Sequence, residues 1–250
     1  MIIDIHTHVW GFNPEKDKSD LLKAMERYDL ERIYVSGIQG KIPDENEVIW
    51  LNSLVYDFMQ EEPEKVGGAV YVNPLLSNTM DIIKRAIEEQ GFEMIKLWIS
   101  TCADHPSVDP IMEYAEKAGV PVLFHAFHKA TGQRNENEST GIHIANIARR
   151  HPKTKILMAH LGGNCYDGIP CIRDLKNVWV DTSGSTFFHG DDLNYTVEQI
   201  GAERILFGTD MTGGCGSNIG QVLGAELTDE QKDMIFYKNA QKLLDRNFRL

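Results

Sequence analysis

A closed barrel of eight parallel β-strands, each followed by a helix, is the fold this sequence predicts. Three observations predict it. Short runs rich in Val and Ile alternate with longer amphipathic runs along the whole chain. Eight such alternations fit into 250 residues, the usual length of a (β/α)8 TIM barrel as one domain. Ligand-type residues stand at the ends of the apolar runs, where a parallel barrel gathers its chemistry on one rim. An open doubly wound sheet is the competing α/β architecture, but no strand-to-helix turn carries Gly-x-Gly-x-x-Gly. The expectation is a single domain over residues 1–250, with distortion of the barrel allowed and the functional rim at the C-terminal ends of the strands.

The opening Ile2-Ile3-Asp4-Ile5 reads as a buried strand that runs into His6-Thr7-His8. Side chains two apart share a face of a strand and stand about 7 Å apart along the backbone, so His6 and His8 point together. Trp10 and Phe12 follow in a loop, and Leu22, Met25 and Leu30 mark a helix near Ser19 to Asp29. Ile33 to Val35 is the second strand and Glu45 to Glu61 the next helix. Val66 to Val72, Met94 to Trp98, Pro121 to Phe124, Ile156 to Ala159, Val178 to Val180 and Ile205 to Phe207 complete the strands. Helices are predicted over Met80 to Glu89, Pro110 to Lys117, Ile142 to Arg150 and Asp229 to Leu244, with Gly91 and Gly119 as C-terminal stops.

The composition is that of an ordered globular protein, with 42% hydrophobic and 25% charged residues. A net charge of −12 argues against a nucleic-acid surface, which needs a basic face. It leaves an anionic substrate open, because a metal ion reverses the sign of the field locally. No apolar run is long enough to span a membrane, and the start does not read as a signal peptide. Cys102, Cys165, Cys171 and Cys215 lack metal-clip spacing and read as reduced thiols of a cytoplasmic protein.

The residues that close the apolar runs are His6 and His8, Lys96, His125, His160 and Asp210. Each has a structural explanation: a lysine stem over apolar surface, a core histidine, an aspartate capping a turn. Six on one rim exceed what those explanations supply together. Imidazole and carboxylate donors of this kind suit a divalent ion with an open position, Zn²⁺ first, with Mn²⁺ or another first-row ion as the alternative.

At these residues the chain resembles the amidohydrolase superfamily, and within it the group that includes aminocarboxymuconate semialdehyde decarboxylase. The matching pieces are Ile5-His6-Thr7-His8, Ile95-Lys96-Leu97, Leu123-Phe124-His125, Ala159-His160-Leu161-Gly162-Gly163 and Phe207-Gly208-Thr209-Asp210. The resemblance implies one of two metal sites. With one ion, His6, His8, His125 and Asp210 are the ligands and His160 is an acid/base beside them. With two ions, Lys96 is carboxylated and bridges them, and His125 and His160 hold the second. Asp210 is the implied proton carrier, and His160 the group that polarises a carbonyl or steadies an oxyanion.

Hydrolysis of an ester, lactone or amide bond by a metal-activated water is the first functional expectation. A non-oxidative decarboxylase or hydratase of an unsaturated or aromatic carboxylic acid is the alternative, and a binding protein without turnover a third. For the substrate, Arg134 is a candidate partner of a carboxylate, in a loop that also holds His128 and Lys129. Trp10, Phe12 and Trp98 are a candidate apolar wall. Gly213, Gly214 and Gly216 could admit an anion to backbone amides. The expected partner is a small-molecule substrate, with no nucleic acid and no membrane; a homodimer is compatible with this class.

Overall fold

The computed structural model describes residues 1–129, 135–184, 190–210 and 214–245. Its eight strands are β1 (Ile2–Trp10), β2 (Leu30–Ile38), β3 (Val66–Tyr71), β4 (Met94–Leu97), β5 (Val122–Phe124), β6 (Ile156–Met158), β7 (Val178–Asp181) and β8 (Ile205–Leu206). They form one sheet in sequential order, and every neighbouring pair is parallel. Beyond the end of β8 the curled sheet meets β1 again. Ile5 N donates to Phe207 O at 3.0 Å, and Asp210 N donates to His6 O at 2.7 Å. These bonds fix Asp210 beside His6 in space, 204 residues apart in sequence.

The helices are α1 (Pro14–Tyr28), α2 (Glu45–Glu61), α3 (Thr79–Lys84), α4 (Asp109–Ala118), α5 (Gly141–Arg150), α6 (Cys165–Ile172), α7 (Gly190–Ile200), α8 (Cys215–Gly224), α9 (Asp229–Asp233) and α10 (Asn239–Leu244). The first helix begins five residues before its predicted start, because Pro14 at its first position presets the helical φ. The second keeps its predicted bounds, with the Asp44 side chain accepting from Glu47 N at the cap. A π turn over Arg85–Glu89 extends α3, and another over Met234–Lys238 joins α9 to α10. None of the described helices is long and apolar enough to cross a membrane.

Two apolar layers hold the barrel. The outer one packs Val35, Val70, Ile95, Phe124 and Val180 of the strands against Phe58, Ile111, Ile147 and Ile169 of the helices. The inner one fills the barrel with Ile3, Ile5, Tyr34, Ala69, Met94, Leu123, Leu157 and Leu206, and α10 adds Ala240 and Leu243. All four cysteines are free thiols. Cys165 and Cys215 lie in the outer layer, as small filler residues would.

One irregularity sets up the rim. Asp4 pairs with Ile33 and Thr7 with Val35, so Ile5 and His6 together oppose the single residue Tyr34. This β-bulge adds one residue to β1 and reverses the parity of its alternation. Ile3 and Ile5 therefore line the barrel interior, and His6 and His8 still face inward above them. Tyr34 fills the space opposite, its ring lying where a Cβ on Gly67 would stand 2.4 Å away. Its hydroxyl donates to Glu93 Oε2 at 2.8 Å. Tyr34→Ala should destabilise the protein by about 3–5 kcal/mol, since it opens a cavity under the bulge. A urea unfolding midpoint within error of wild type would contradict that placement.

Candidate metal centre

Each ring in the cluster is aimed by what holds its outer nitrogen. His6 Nδ1 donates to Asp181 Oδ2 at 3.0 Å, with Ser183 Oγ also at 3.0 Å. His8 Nδ1 lies 2.9 Å from Ser36 Oγ and 3.3 Å from Ser36 O, and the carbonyl can only accept. His160 Nδ1 lies 2.9 Å from Ser183 Oγ. The Ser183 hydroxyl is in close contact with Asp181 Oδ1 and donates there, which leaves its oxygen to accept from His160. His125 is turned the other way: its Nε2 lies 3.0 Å from Glu138 Oε1.

With the outer nitrogens protonated, the inner ones carry lone pairs, and these face one another. His6 Nε2 lies 3.1 Å from His8 Nε2, and His125 Nδ1 lies 3.1 Å from His160 Nε2. Two lone pairs at that distance repel unless a proton or cation stands between them. Two nitrogens on one tetrahedral zinc ion are about 3.3 Å apart, from Zn–N bonds of about 2.0–2.1 Å. The donor set thus fits a divalent ion. Asp210 Oδ1 adds a carboxylate oxygen 3.1 Å from His8 Nε2 and 3.4 Å from His6 Nε2. Among the described residues, ligand atoms of His6, His160 and Asp210 lie within 4.8 Å of one another. Lys96 Nζ stands 2.7 Å from His6 Nε2, inside the same cluster.

The backbone is bent to achieve this. His160, Leu161 and Asp210 have φ of 63°, 49° and 65°. Left-handed backbone costs a residue with a Cβ roughly 1–2 kcal/mol. The other described non-glycine cases, Asp29 and Asp245, are helix C-caps, where this conformation is common. At Gly184, with φ of 81°, an added Cβ would lie 2.0 Å from His160 Nδ1, so only glycine admits the ring.

Charges follow from burial and partners. Burial lowers the imidazoles, to about 4 at His8 and His160, and keeps them neutral ligands at pH 7. Burial also pulls Lys96 down to about 8, against the opposing fields of Asp210 and Asp181. At Asp210 burial favours the neutral acid, but His160, His8 and His6 outweigh it and hold the group well below the ordinary carboxylate range. Asp181 behaves likewise, with His6 and His160 overcoming burial.

All six rim residues expected from the sequence are therefore brought together. Trp10 and Trp98 lie on the His8 side, their rings 6.1 Å apart and Trp10 6.1 Å from His8, packed over Ile38, Leu51 and Tyr71. Phe12, in contrast, is 74% exposed and extends the wall into solvent. His128 turns outward to within 3.7 Å of Asp167, and Lys129 pairs with Glu138 at 3.0 Å. Arg134 and Gly213 lie outside the described residues. A cleft of about 800 Å³ lined by Lys18, Leu22, Phe58 and Glu61 shares no residue with the cluster. Sequence reasoning missed Asp181, Ser36, Ser183 and Glu138. Asp181 and Ser36 carried the same signal as the ligands, a polar residue closing an apolar run; Glu138 carried none.

An amidohydrolase family model matches residues 3–246. The chain belongs to the amidohydrolase superfamily. Among solved structures it is similar to a dihydroxybenzoic acid decarboxylase from Polaromonas with bound manganese and 2-nitroresorcinol. There the TM-score is 0.76, at 15% identity over 98% of this chain and 96% of that one. It is similar to 5-carboxyvanillate decarboxylase from Sphingomonas paucimobilis, with TM-score 0.77 at 14% identity over 98% and 99%. It is also similar to 4-oxalomesaconate hydratase from Rhodopseudomonas palustris, with TM-score 0.73 at 19% identity over 98% and 96%. At these identities the likeness establishes the fold.

Asp181→Asn keeps the size of the side chain but loses the charge that holds His6 and Ser183. Equilibrium dialysis with zinc should give an affinity about 10–100-fold weaker. Unchanged affinity would mean that Asp181 does not orient these rings.

Proposed function

We propose that this amidohydrolase-superfamily protein is a metal-dependent lyase, acting by non-oxidative decarboxylation on an unsaturated or aromatic carboxylic acid. The observation that carries the reading is geometric: Asp210 Oδ1 stands 3.1 Å from His8 Nε2, on the side of the cluster where Trp10 and Trp98 form an aromatic wall. The dihydroxybenzoate and carboxyvanillate decarboxylases of the same fold support the substrate class. His6, His8 and Asp210 would hold one ion, with His125 and His160 as ligands of a second if Lys96 is carboxylated. The ion, zinc or alternatively manganese, would supply positive charge to hold a substrate oxygen and draw electron density from the ring.

The protein's own residues do the rest. Asp210, the ligand-type residue with the more exposed side chain, takes the proton of an enol or phenol hydroxyl and delivers it to the carbon bearing the carboxylate. That carbon then releases CO2, and the bonding pair returns to the ring and its oxygen. His160, fixed by Ser183, donates nothing from Nδ1 to the substrate and offers Nε2 to the centre. Trp10, Trp98 and Phe127, which lies 5.7 Å from the His160 ring, exclude water from a planar substrate. Arg134 or Lys129 would pair with a second anionic group.

Hydrolysis remains the second reading because one observation favours it. Burial pulls the Lys96 amine down to about 8, so that near neutral pH it has a larger share of the uncharged form, which adds CO2 to give a bridging carbamate and release a proton. A bridged pair of ions suits water activation on an ester, lactone or amide bond.

Incubation with hydroxylated aromatic carboxylates should release CO2, and a panel of lactones and esters should stay intact. Turnover confined to the lactones and esters would overturn the lyase assignment. A chelator should abolish activity, and a metal-free preparation with full activity would remove the metal from the reading. Asp210→Asn should lower the rate by about two to four powers of ten with the metal retained. Zinc stoichiometry in bicarbonate should fall when Lys96→Ala is introduced if the lysine bridges two ions; one equivalent in both proteins would leave a single-ion site.

A further inference from the structure

We propose that Glu138 is a positioning residue that makes His125 present Nδ1 to the cluster and so completes its second half; the proposal rests on the metal-centre reading above. Glu138 comes from the segment between β5 and α5, 13 residues after the ring it holds. It is 2% exposed, and both its oxygens are engaged. Oε1 lies 3.0 Å from His125 Nε2. Oε2 pairs with Lys129 Nζ at 3.0 Å and accepts from Asn135 N at 3.3 Å. The Lys129 ammonium and the Asn135 amide both favour the carboxylate form.

A carboxylate only accepts, so the contact with His125 requires the proton on Nε2. The lone pair is then on Nδ1, which faces His160 Nε2. Without Glu138, the acceptor left to His125 in the cluster is that His160 nitrogen. The His125 proton would move to Nδ1, donate to His160, and block both inner lone pairs at once. Glu138 therefore protects two donors through one bond. Phe127, stacked at 12° to the His125 ring with centroids 6.2 Å apart, restricts the ring from turning its Nε2 inward. His6, His8 and His160 are each held at Nδ1, by Asp181 or a serine. His125 is held at Nε2, and its holder is tied to Lys129 of the same loop.

The test reads the His125 tautomer by long-range ¹H–¹⁵N correlation in metal-free protein, and zinc affinity by chelator competition. Wild type should carry the proton on Nε2. In E138L the proton should move to Nδ1, with zinc binding about 10–100-fold weaker. E138Q keeps an oxygen acceptor and should recover most of both, and K129M should leave the tautomer unchanged. A wild-type proton on Nδ1 overturns the proposal whether or not E138L folds. A folded E138L with the wild-type tautomer and affinity overturns it as well. Wild-type protein that binds no zinc, yet shows the proton shift between wild type and E138L, would sink the metal-centre reading and keep the positioning role.

Discussion

Two pairs of imidazole nitrogens, each pair 3.1 Å apart with lone pairs facing, are the constraint on which the rest of the structure depends. Such pairs are repulsive without a positive partner, so the fold must force them together. Asp181 does most of the forcing. One of its oxygens accepts from the His6 ring, and the other accepts from the backbone amides of His160 and Ser183 at 3.0 Å each. A single carboxylate at the end of β7 thereby locks a ring from β1 and the turn after β6. Ser183 then bridges the Nδ1 atoms of both rings. The left-handed residues at the same turn are the conformational cost of this arrangement, offset by a carboxylate that would otherwise be buried unpaired.

Burial has opposite effects on the two kinds of ligand, and the site uses both. It disfavours the imidazolium ions and so delivers neutral donors. It also disfavours the carboxylate of Asp210, yet there the surrounding rings outweigh it. Among the described residues, Lys96 is the one lysine or arginine in the middle of the cluster, and its amine donates into the His6 lone pair. It occupies the place where positive charge is needed. A carbamate on the same nitrogen would reverse that charge, and two cations would then be required where one ammonium sufficed. The chemistry at Lys96 and the number of ions are thus one question.

The strand rhythm and the six rim residues were legible in the sequence because both rest on local rules: apolar runs of strand length, and polar residues closing them. Helices α6, α7 and α8 were not delineated. Pro170 and Gly168 interrupt α6, and α8 carries Gly216, Gly220 and Gly224, so their local propensity is weak and packing decides. Gly141 and Gly168 show the reason for such residues. A Cβ on Gly141 would lie 2.7 Å from Gly168 O, so α5 and α6 approach with no side chain between them. The bulge at Ile5 and His6 is invisible in the sequence, since the pattern reads equally well as unbroken alternation. Glu138 was hidden for a different reason. Its loop is rich in Asn and Glu, and nothing local distinguishes the one carboxylate that folds back from those in water.

Fold and ligand set place the reaction on one rim, and neither selects it. Strand ends supply His6, His8, Lys96 and Asp210, and the same set can serve water activation or proton transfer to carbon. Selection falls to the segments that follow the strands. The last residue of β1 is Trp10, the segment after β4 supplies Trp98, and the one after β5 supplies Phe127, Lys129 and Glu138. The loops after β2, β4 and β5 are pinned to one another. Lys41 donates to Asn135 at 2.8 Å, Ser100 to Lys41 O at 3.2 Å, and Asn137 to Ser100 O at 3.0 Å. Proton delivery to a ring carbon needs the acid over the face of the ring, at the carbon that bears the carboxylate. An ester or lactone needs instead a water placed on the face of its carbonyl. Both demands act at the same rim, so the lining of the mouth, and not the ligand set, separates them.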